Sequence, residues 1–350
     1  MTVPDKMQAL ITQANKTTKV ETVPTPDIDD DEVLVKTVAI ALNHTDWKHI
    51  EFINNPGTIV GCDFSGTVVK VGKAVTTLFE GDHVAGFTHG GTFKDLGAFA
   101  EYVKSPADLV WKVPGGTLSH EQAATFGCAF YTAVQALFNP NRLALIEPPG
   151  EAAAPEWVLI NGGTASVGMF AIQLARIAGY EVLAVASKKP ELAKSLGANA
   201  VVDYKDPEAV TQIRHATHEG IHSGLDAIAT DDTQEFSIRS FGPGEGKLIV
   251  TLNAYKGAQE LRPDVEIQST LVYTVFGRSF DFLGTHYDPV PDDREHMAAF
   301  LQKLPTLVKS GHLKPNPVIL WPGGLQEVTD GLDFLREGKH SGEKVVYRIG

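Results

Sequence analysis

Asn161-Gly162-Gly163-Thr164-Ala165-Ser166-Val167-Gly168 stands where an apolar run, Trp157 to Ile160, gives way to Met169-Phe170-Ala171-Ile172-Gln173-Leu174-Ala175, whose spacing is helical. Small residues are required at such a junction. The backbone must turn tightly, admit a pyrophosphate to its amides and let the helix pack close to the sheet. A glycine cluster alone is only a turn; this one lies inside repeated strand and helix segments, which makes it a dinucleotide turn.

The repeat extends downstream. Strands are expected at Glu181 to Ala186, Ala200 to Tyr204, Leu225 to Thr230 and Lys247 to Leu252, with helices at Val167 to Ala178, Pro190 to Leu196 and Pro207 to Thr217. Strands separated by helices imply parallel crossovers and a doubly wound α/β sheet. The second strand decides the cofactor. An NAD site places an acid about 20 residues beyond the glycines, whereas here the strand ends in Ser187-Lys188-Lys189-Pro190. Two ammonium groups attract a 2′-phosphate, so NADPH is the expected cofactor.

Upstream the texture is different: short β-rich segments, Glu32 to Ala39, Thr67 to Val71, Asp82 to Gly86 and Phe99 to Val103, broken by dense glycines. A Pro-containing connection, Asn139 to Pro155, separates the two textures. The last segment reads as a helix at His296 to Ser310, another at Leu325 to Arg336 and a closing strand at Lys344 to Ile349. The division expected is 1–140, 141–290 and 291–350.

The bulk numbers narrow the partners. A formal charge of −13 argues against a broad footprint for nucleic acid or anionic membrane. No segment approaches the roughly 18 apolar residues of a membrane span, and Met1 to Leu10 does not read as a secretory leader. The two cysteines, Cys62 and Cys128, are too few for a disulfide scaffold and suit a reducing compartment, so a cytoplasmic protein is expected.

Several landmarks together carry a resemblance: Asn43-His44-Thr45-Asp46-Trp47-Lys48, Gly61-Cys62-Asp63-Phe64-Ser65-Gly66-Thr67-Val68, Gly81-Asp82-His83-Val84, Gly97-Ala98-Phe99-Ala100-Glu101-Tyr102, Ala123-Ala124 through Thr132-Ala133, the glycine turn, and Gly338-Lys339-His340-Ser341-Gly342-Glu343-Lys344-Val345-Val346. In this order they resemble the medium-chain dehydrogenase/reductases across essentially the whole chain. That resemblance implies a GroES-like β-rich catalytic domain, formed by both chain ends, beside a Rossmann domain. Asn43 to Lys48, Phe126 to Ala133 and the ending Arg336 to Lys344 look most like the fungal trans-acting enoyl reductases that serve polyketide synthases.

The zinc-dependent branch of that family needs three protein donors and an open position. At the corresponding places this chain offers Asn43, Cys62 and Cys128, and an amide oxygen is a poor zinc ligand. No metal is expected. Without a Lewis acid, an unactivated alcohol is a hard substrate and an already polarised alkene a suitable one.

The resemblance further implies that Thr45, Asp46, Trp47 and Lys48 border the nicotinamide and its ribose, with Lys48 binding cofactor or polarising the substrate carbonyl. It implies that Thr132 holds the carboxamide, that Gly163, Thr164, Ala165, Ser166 and Val167 meet the pyrophosphate, and that Ser187, Lys188, Lys189 and Pro190 meet the 2′-phosphate. Tyr204 is expected at the adenine, Leu252 and Asn253 at the nicotinamide ribose, and His340 and Ser341, with Lys344 nearby, closing the site. Phe126, Gly127, Cys128, Ala129, Phe130, Tyr131, Thr132 and Ala133 are expected to line the acyl channel with Val272, Tyr273, Thr274, Val275 and Phe276, although the last five equally suit a core strand. Lys48 and Thr132 are the catalytic candidates. Tyr131 and His44 are conceivable proton donors by chemistry, and packing roles suit each better.

The reading is therefore an NADPH-dependent enoyl reductase acting on a thioester carried by a partner polyketide synthase. A quinone or small enal reductase needs the same fold and cofactor, and a non-catalytic NADPH-binding protein is a third possibility. Monomer and homodimer both remain open.

Overall fold

A computed structural model describes residues 3–349; Met1, Thr2 and Gly350, the extremities of the ranges expected above, lie outside the described residues. The chain forms two compact units, one running to Tyr131 and including Tyr273–Gly311 and Pro315–Gly350, the other Thr132–Val272 with His312–Lys314. The transitions thus fall at 131/132 and 272/273, where the sequence reading places them at 140/141 and 290/291. Asn139 to Pro155 contains neither helix nor strand.

The second unit is built on a six-stranded parallel sheet in the spatial order Ala200–Val202, Glu181–Val185, Trp157–Asn161, Ile221–Asp226, Gly246–Val250, Val265–Ser269. This is the doubly wound order, which reverses direction beside Trp157–Asn161 and leaves a crevice at the carboxyl ends of its strands. Leu159, Leu183, Val185, Ile213, Phe241, Leu248 and Val265 pack one core around it.

One strand differs from expectation. Leu225 to Thr230 is not a strand; the strand is Ile221–Asp226, and Thr230 instead caps the helix Asp231–Arg239 by accepting from Thr233 N at 3.3 Å. Ser223 and Gly224 are poor strand formers by composition, yet both pair with neighbours on either side, while His222 falls at a bulge in the register. Sheet context overrides propensity there.

In the first unit a seven-stranded mixed sheet surrounds Glu32–Ala41, which pairs antiparallel with Asp63–Val71, Tyr102–Pro106 and Lys344–Arg348. Val33, Val35, Ile40, Phe64, Val84, Phe99, Val103, Val345 and Tyr347 fill its core, so residues from both chain ends make a single apolar interior. The register places Ala41 opposite Val346 and Tyr347 opposite Ile40.

Here too the boundaries move. The strand expected at Phe99 to Val103 is Tyr102–Pro106, and Val272–Phe276 is a 3₁₀ turn rather than a strand. His296 to Ser310 is not one helix but two, Pro291–Leu301 and Leu304–Lys309, with Pro305 in the first turn of the second. A proline there removes the donor that a continuous helix would need. The hairpin Lys6–Thr12 with Thr18–Pro24, for which the pattern gave no expectation, precedes the sheet. Among the described residues, no helix is long and apolar enough to cross a membrane.

Candidate active site

In the nucleotide unit the glycine turn leaves the end of Trp157–Asn161 and enters the helix Ser166–Ile177. Gly162 takes φ +78°, a backbone region that disfavours side chains, and Ala165 N donates to Gly162 O at 2.8 Å to close the turn. A Cβ at Gly168 would stand 2.1 Å from Gly162 O. Only glycine lets the helix begin so close to the turn. No side chain caps that helix, so its first-turn amides are suited to an anion.

Thr164, Ala165, Ser166 and Val167 are half-buried on this turn, while Gly163 is buried and its N–H donates to Val185 O at 2.9 Å. The two loops meet: the Thr164 hydroxyl donates to Lys188 O at 3.2 Å. Ser187 is half-buried, and Lys188, Lys189 and Pro190 are exposed, with Lys189 at φ +50° ahead of the helix Pro190–Ser195. Tyr204 is 52% exposed and follows the short strand Ala200–Val202. Leu252 and Asn253 are exposed after Gly246–Val250, where Asn253 O accepts from Gln234 Nε2 at 3.0 Å. These residues fit a dinucleotide: a glycine cradle for pyrophosphate, ammonium groups beside it and an exposed aromatic ring. Thr132, Ala133 and Val272 belong to the same unit and are buried.

In the catalytic unit a short helix, His44–Lys48, follows Asn43. Asp46 does not face outward as a ribose contact would. It is 1% exposed, and its Oδ2 accepts from Asn43 N at 2.6 Å, turning the chain back on itself. Burial and the neighbouring Asp63 push the Asp46 carboxyl up from 3.8 to about 7. Trp47 and Lys48 remain half-buried, the Lys48 ammonium 5.7 Å from the centre of the Trp47 ring, and burial lowers its pKa. His44 Nε2 and His340 Nε2 approach to 3.3 Å; His340 and Ser341 are both half-buried.

Behind this helix lies a buried ion pair. Lys344 Nζ donates to Asn43 Oδ1 and stands 3.2 Å from Asp63 Oδ2. Asp63 Oδ1 accepts from Cys128 N at 2.6 Å, at the start of the helix Cys128–Phe138. Gly127 makes room for it, since a Cβ there would meet Asp63 Oδ1 at 2.2 Å. Burial raises the Asp63 carboxyl, opposed chiefly by Lys344.

The same cluster tests zinc. Asn43 Oδ1 is engaged by an ammonium group, and a cation already occupies the space beside Asn43 and Asp63. Burial pushes the Cys62 thiol well up. Among the described residues, no three His, Cys, Asp or Glu side chains gather as a metal site. The donor set does not fit zinc.

Phe126 and Phe130 are fully buried, packing against Trp111 and Phe300 respectively, and Tyr131 spends its hydroxyl on Leu109 O at 2.6 Å. They are core, as the packing alternative for Tyr131 had it, and Ala129 is buried with them; Cys128 is half-buried. Thr274, whose hydroxyl donates to Asp293, Val275 and Phe276 are likewise buried. Tyr273 is the exception in chemistry. Its hydroxyl lies 2.6 Å from Thr45 Oγ1 and its ring stacks on His89 at 3.8 Å. Neither His49 nor His89 was singled out by pattern, and a lone histidine in an apolar stretch carries no such signal.

Residues 29–115 match the alcohol dehydrogenase GroES-like domain, and 166–284 the zinc-binding dehydrogenase family. Trans-enoyl reductase caaB of Aspergillus niger is 36% identical over 99% of this chain and 98% of its own. The chain belongs to the trans-enoyl reductase family of medium-chain dehydrogenases. Trans-enoyl reductase TOXD of Cochliobolus carbonum is 38% identical over 76% of this chain and 89% of its own. A solved alcohol dehydrogenase superfamily protein from Novosphingobium aromaticivorans, 23% identical, superposes with a TM-score of 0.78 over 98% of this chain and all of its own, sharing the GroES-like and Rossmann fold. The protein is thus a nicotinamide-dependent oxidoreductase of the enoyl reductase type, although one of its two matching family descriptions names zinc.

Proposed function

We propose that this enoyl reductase uses NADPH to saturate a carbon–carbon double bond conjugated to a thioester carbonyl, on an acyl chain carried by a partner polyketide synthase. The observation that carries the reading is the relationship to trans-enoyl reductases along nearly the whole chain. The buried Lys344 ammonium among the would-be metal donors supports it. Without a Lewis acid a plain alcohol is a hard substrate, whereas a conjugated alkene arrives already polarised.

When bound, NADPH would supply a hydride for the β-carbon, so that negative charge would gather on the carbonyl oxygen. The chain's own tasks are to orient, to stabilise that oxygen and to see a proton delivered to the α-carbon. Gly163 to Val167 and Ser187 to Pro190 hold the dinucleotide, with Tyr204, Leu252 and Asn253 along it. Thr45, Lys48, Thr132, His340 and Ser341 are assigned to the nicotinamide end, Lys48 and Thr132 in the catalytic roles. Two cysteines, too few for a disulfide scaffold, suit a cytoplasmic setting.

Side-by-side NADPH oxidation with an enoyl-pantetheine thioester, a quinone and a free enal tests the assignment. Fastest turnover of the thioester is expected. Faster turnover of the quinone would refute the thioester, and a protein that binds NADPH yet reduces none of the three would refute catalysis.

A further inference from the structure

Three side chains of the catalytic unit form one hydrogen-bonded chain: His49, Thr45 and Tyr273. His49 and Tyr273 are each 2% exposed, whereas Thr45 is only half-buried. The trio therefore opens outward at the threonine alone.

Its hydrogen atoms can be placed by elimination. His49 Nδ1 lies 2.8 Å from Thr45 O, a carbonyl that only accepts, so Nδ1 carries the proton. The same nitrogen is 3.2 Å from Thr45 Oγ1, which therefore cannot donate to it. His49 Nε2 is buried without a partner and keeps its lone pair. Burial holds the ring neutral, its pKa down from 6.5 to about 4.

Tyr273 completes the pattern. Its hydroxyl is 2.6 Å from Thr45 Oγ1, while its other neighbour, Cys62 Sγ, is 4.0 Å away and a weak acceptor. The phenol is the stronger donor of the pair, and its best acceptor is the threonine oxygen. Thr45 Oγ1 then accepts from Tyr273, with the His49 N–H alongside, and its own proton is the one left uncommitted. Donors that polarise an oxygen strengthen the bond that the same hydroxyl gives.

We propose that Tyr273 and His49 are positioning residues that fix the Thr45 hydroxyl as a hydrogen-bond donor to the carbonyl oxygen of the substrate. Thr45 is then the catalytic member, touching the oxygen as it gathers charge, and Tyr273 acts through it. No bond is broken in this role; the proton stays on Thr45 while the enolate forms. The inference rests on the enoyl reductase reading, and it gives Thr45 a task beyond bordering the nicotinamide.

The test is a double-variant cycle in the full-length protein: Thr45→Val, Thr45→Ser, Tyr273→Phe and Thr45→Val with Tyr273→Phe. The readouts are kcat and KM for an enoyl-pantetheine thioester, NADPH affinity by fluorescence titration and a thermal unfolding midpoint for each. Thr45→Val is expected to lower kcat about 100-fold, the scale of losing one oxyanion donor. Tyr273→Phe is expected to lower it about 10-fold, the scale of one polarising hydrogen bond, with NADPH affinity and unfolding midpoint unchanged. The combined variant should be no slower than Thr45→Val alone, and Thr45→Ser should restore activity. Additive losses, a normal rate in Tyr273→Phe, or a Tyr273→Phe defect confined to NADPH affinity would each overturn the inference. Wild-type preference among thioester, quinone and enal judges the substrate separately. Should the quinone or enal be preferred, the same cycle is run with it, since either also reduces through a carbonyl oxygen; wild-type inertness toward all three overturns both readings.

Discussion

Lys344 Nζ lies 3.2 Å from Asp63 Oδ2 with the two side chains 2% and 0% exposed, so each charge depends on the other. Replacing Lys344 by Met strands a buried carboxylate and is expected to destabilise the protein by about 3–5 kcal/mol. The double change, Lys344→Met with Asp63→Asn, should recover much of that loss, because no uncompensated charge remains. Urea unfolding of the three proteins checks this. A single variant as stable as the wild type would show that the pair contributes nothing.

Acid should weaken the fold. His44, His49 and His83 are each lowered from 6.5 to about 4, and His89 and His120 are lowered too, all chiefly by burial, so between pH 6.5 and 4 the unfolded chain binds protons that the folded chain refuses. Stability then falls as pH drops through that window. Asp46 acts in the opposite sense: its carboxyl, raised from 3.8 to about 7, holds a proton that the unfolded chain has already released. Burial raises the Asp63 and Asp226 carboxyls as well, and the five imidazoles outweigh the three carboxyls, so the net outcome is a loss. Denaturant midpoints measured from pH 7 to 4.5 should decline, and a steady rise would contradict these directions.

Cofactor choice should reside in two exposed ammonium groups. Lys188→Ser with Lys189→Asp is expected to weaken NADPH binding roughly 10- to 100-fold, the scale of one charge-assisted contact, while leaving NADH affinity near its starting value. Fluorescence titration with both dinucleotides reads this directly. Equal weakening toward both would place the 2′-phosphate elsewhere.

Gly168→Ala asks whether the turn tolerates a methyl group where 2.1 Å is available. The helix must shift, at a cost of about 1–3 kcal/mol, and NADPH affinity should fall with it. Unchanged affinity and unfolding midpoint would mean that the turn is looser than its geometry implies.

Metal analysis of the purified protein should find zinc well below one atom per chain, and a chelator should leave NADPH oxidation unchanged. Stoichiometric zinc that the chelator removes together with activity would overturn the argument from Lys344.

What the sequence discloses is whatever lies within one turn or one crossover. The glycine turn, Lys188 and Lys189 are read within a few dozen residues, since strand, turn and helix are consecutive there. The Thr45 to Tyr273 contact joins positions 228 apart and the Lys344 to Asn43 contact positions 301 apart, and neither partner carries a local mark of the other. Both tyrosine and lysine stood among the residues of interest by resemblance, but their contacts required the fold. Phe126, Phe130 and Tyr131 illustrate the converse: an aromatic run looks alike whether it lines a channel or fills a core, and only burial separates the two. Ser223 and Gly224 hid a strand because its stability comes from neighbours rather than from its own residues.

The place of Lys344–Arg348 beside Glu32–Ala41 has a consequence for biosynthesis. As the chain emerges from the ribosome, all of the nucleotide unit except His312–Lys314 is made as one stretch, Thr132–Val272, which can begin to assemble as soon as it clears the exit tunnel. The other sheet must wait. Until the last elements are translated, its central strand lacks a neighbour and Asp63 lacks its cation. Nascent chains stalled just before Lys344 would therefore carry a finished nucleotide domain and an open, sticky β-sheet, the form that a holdase chaperone is suited to guard.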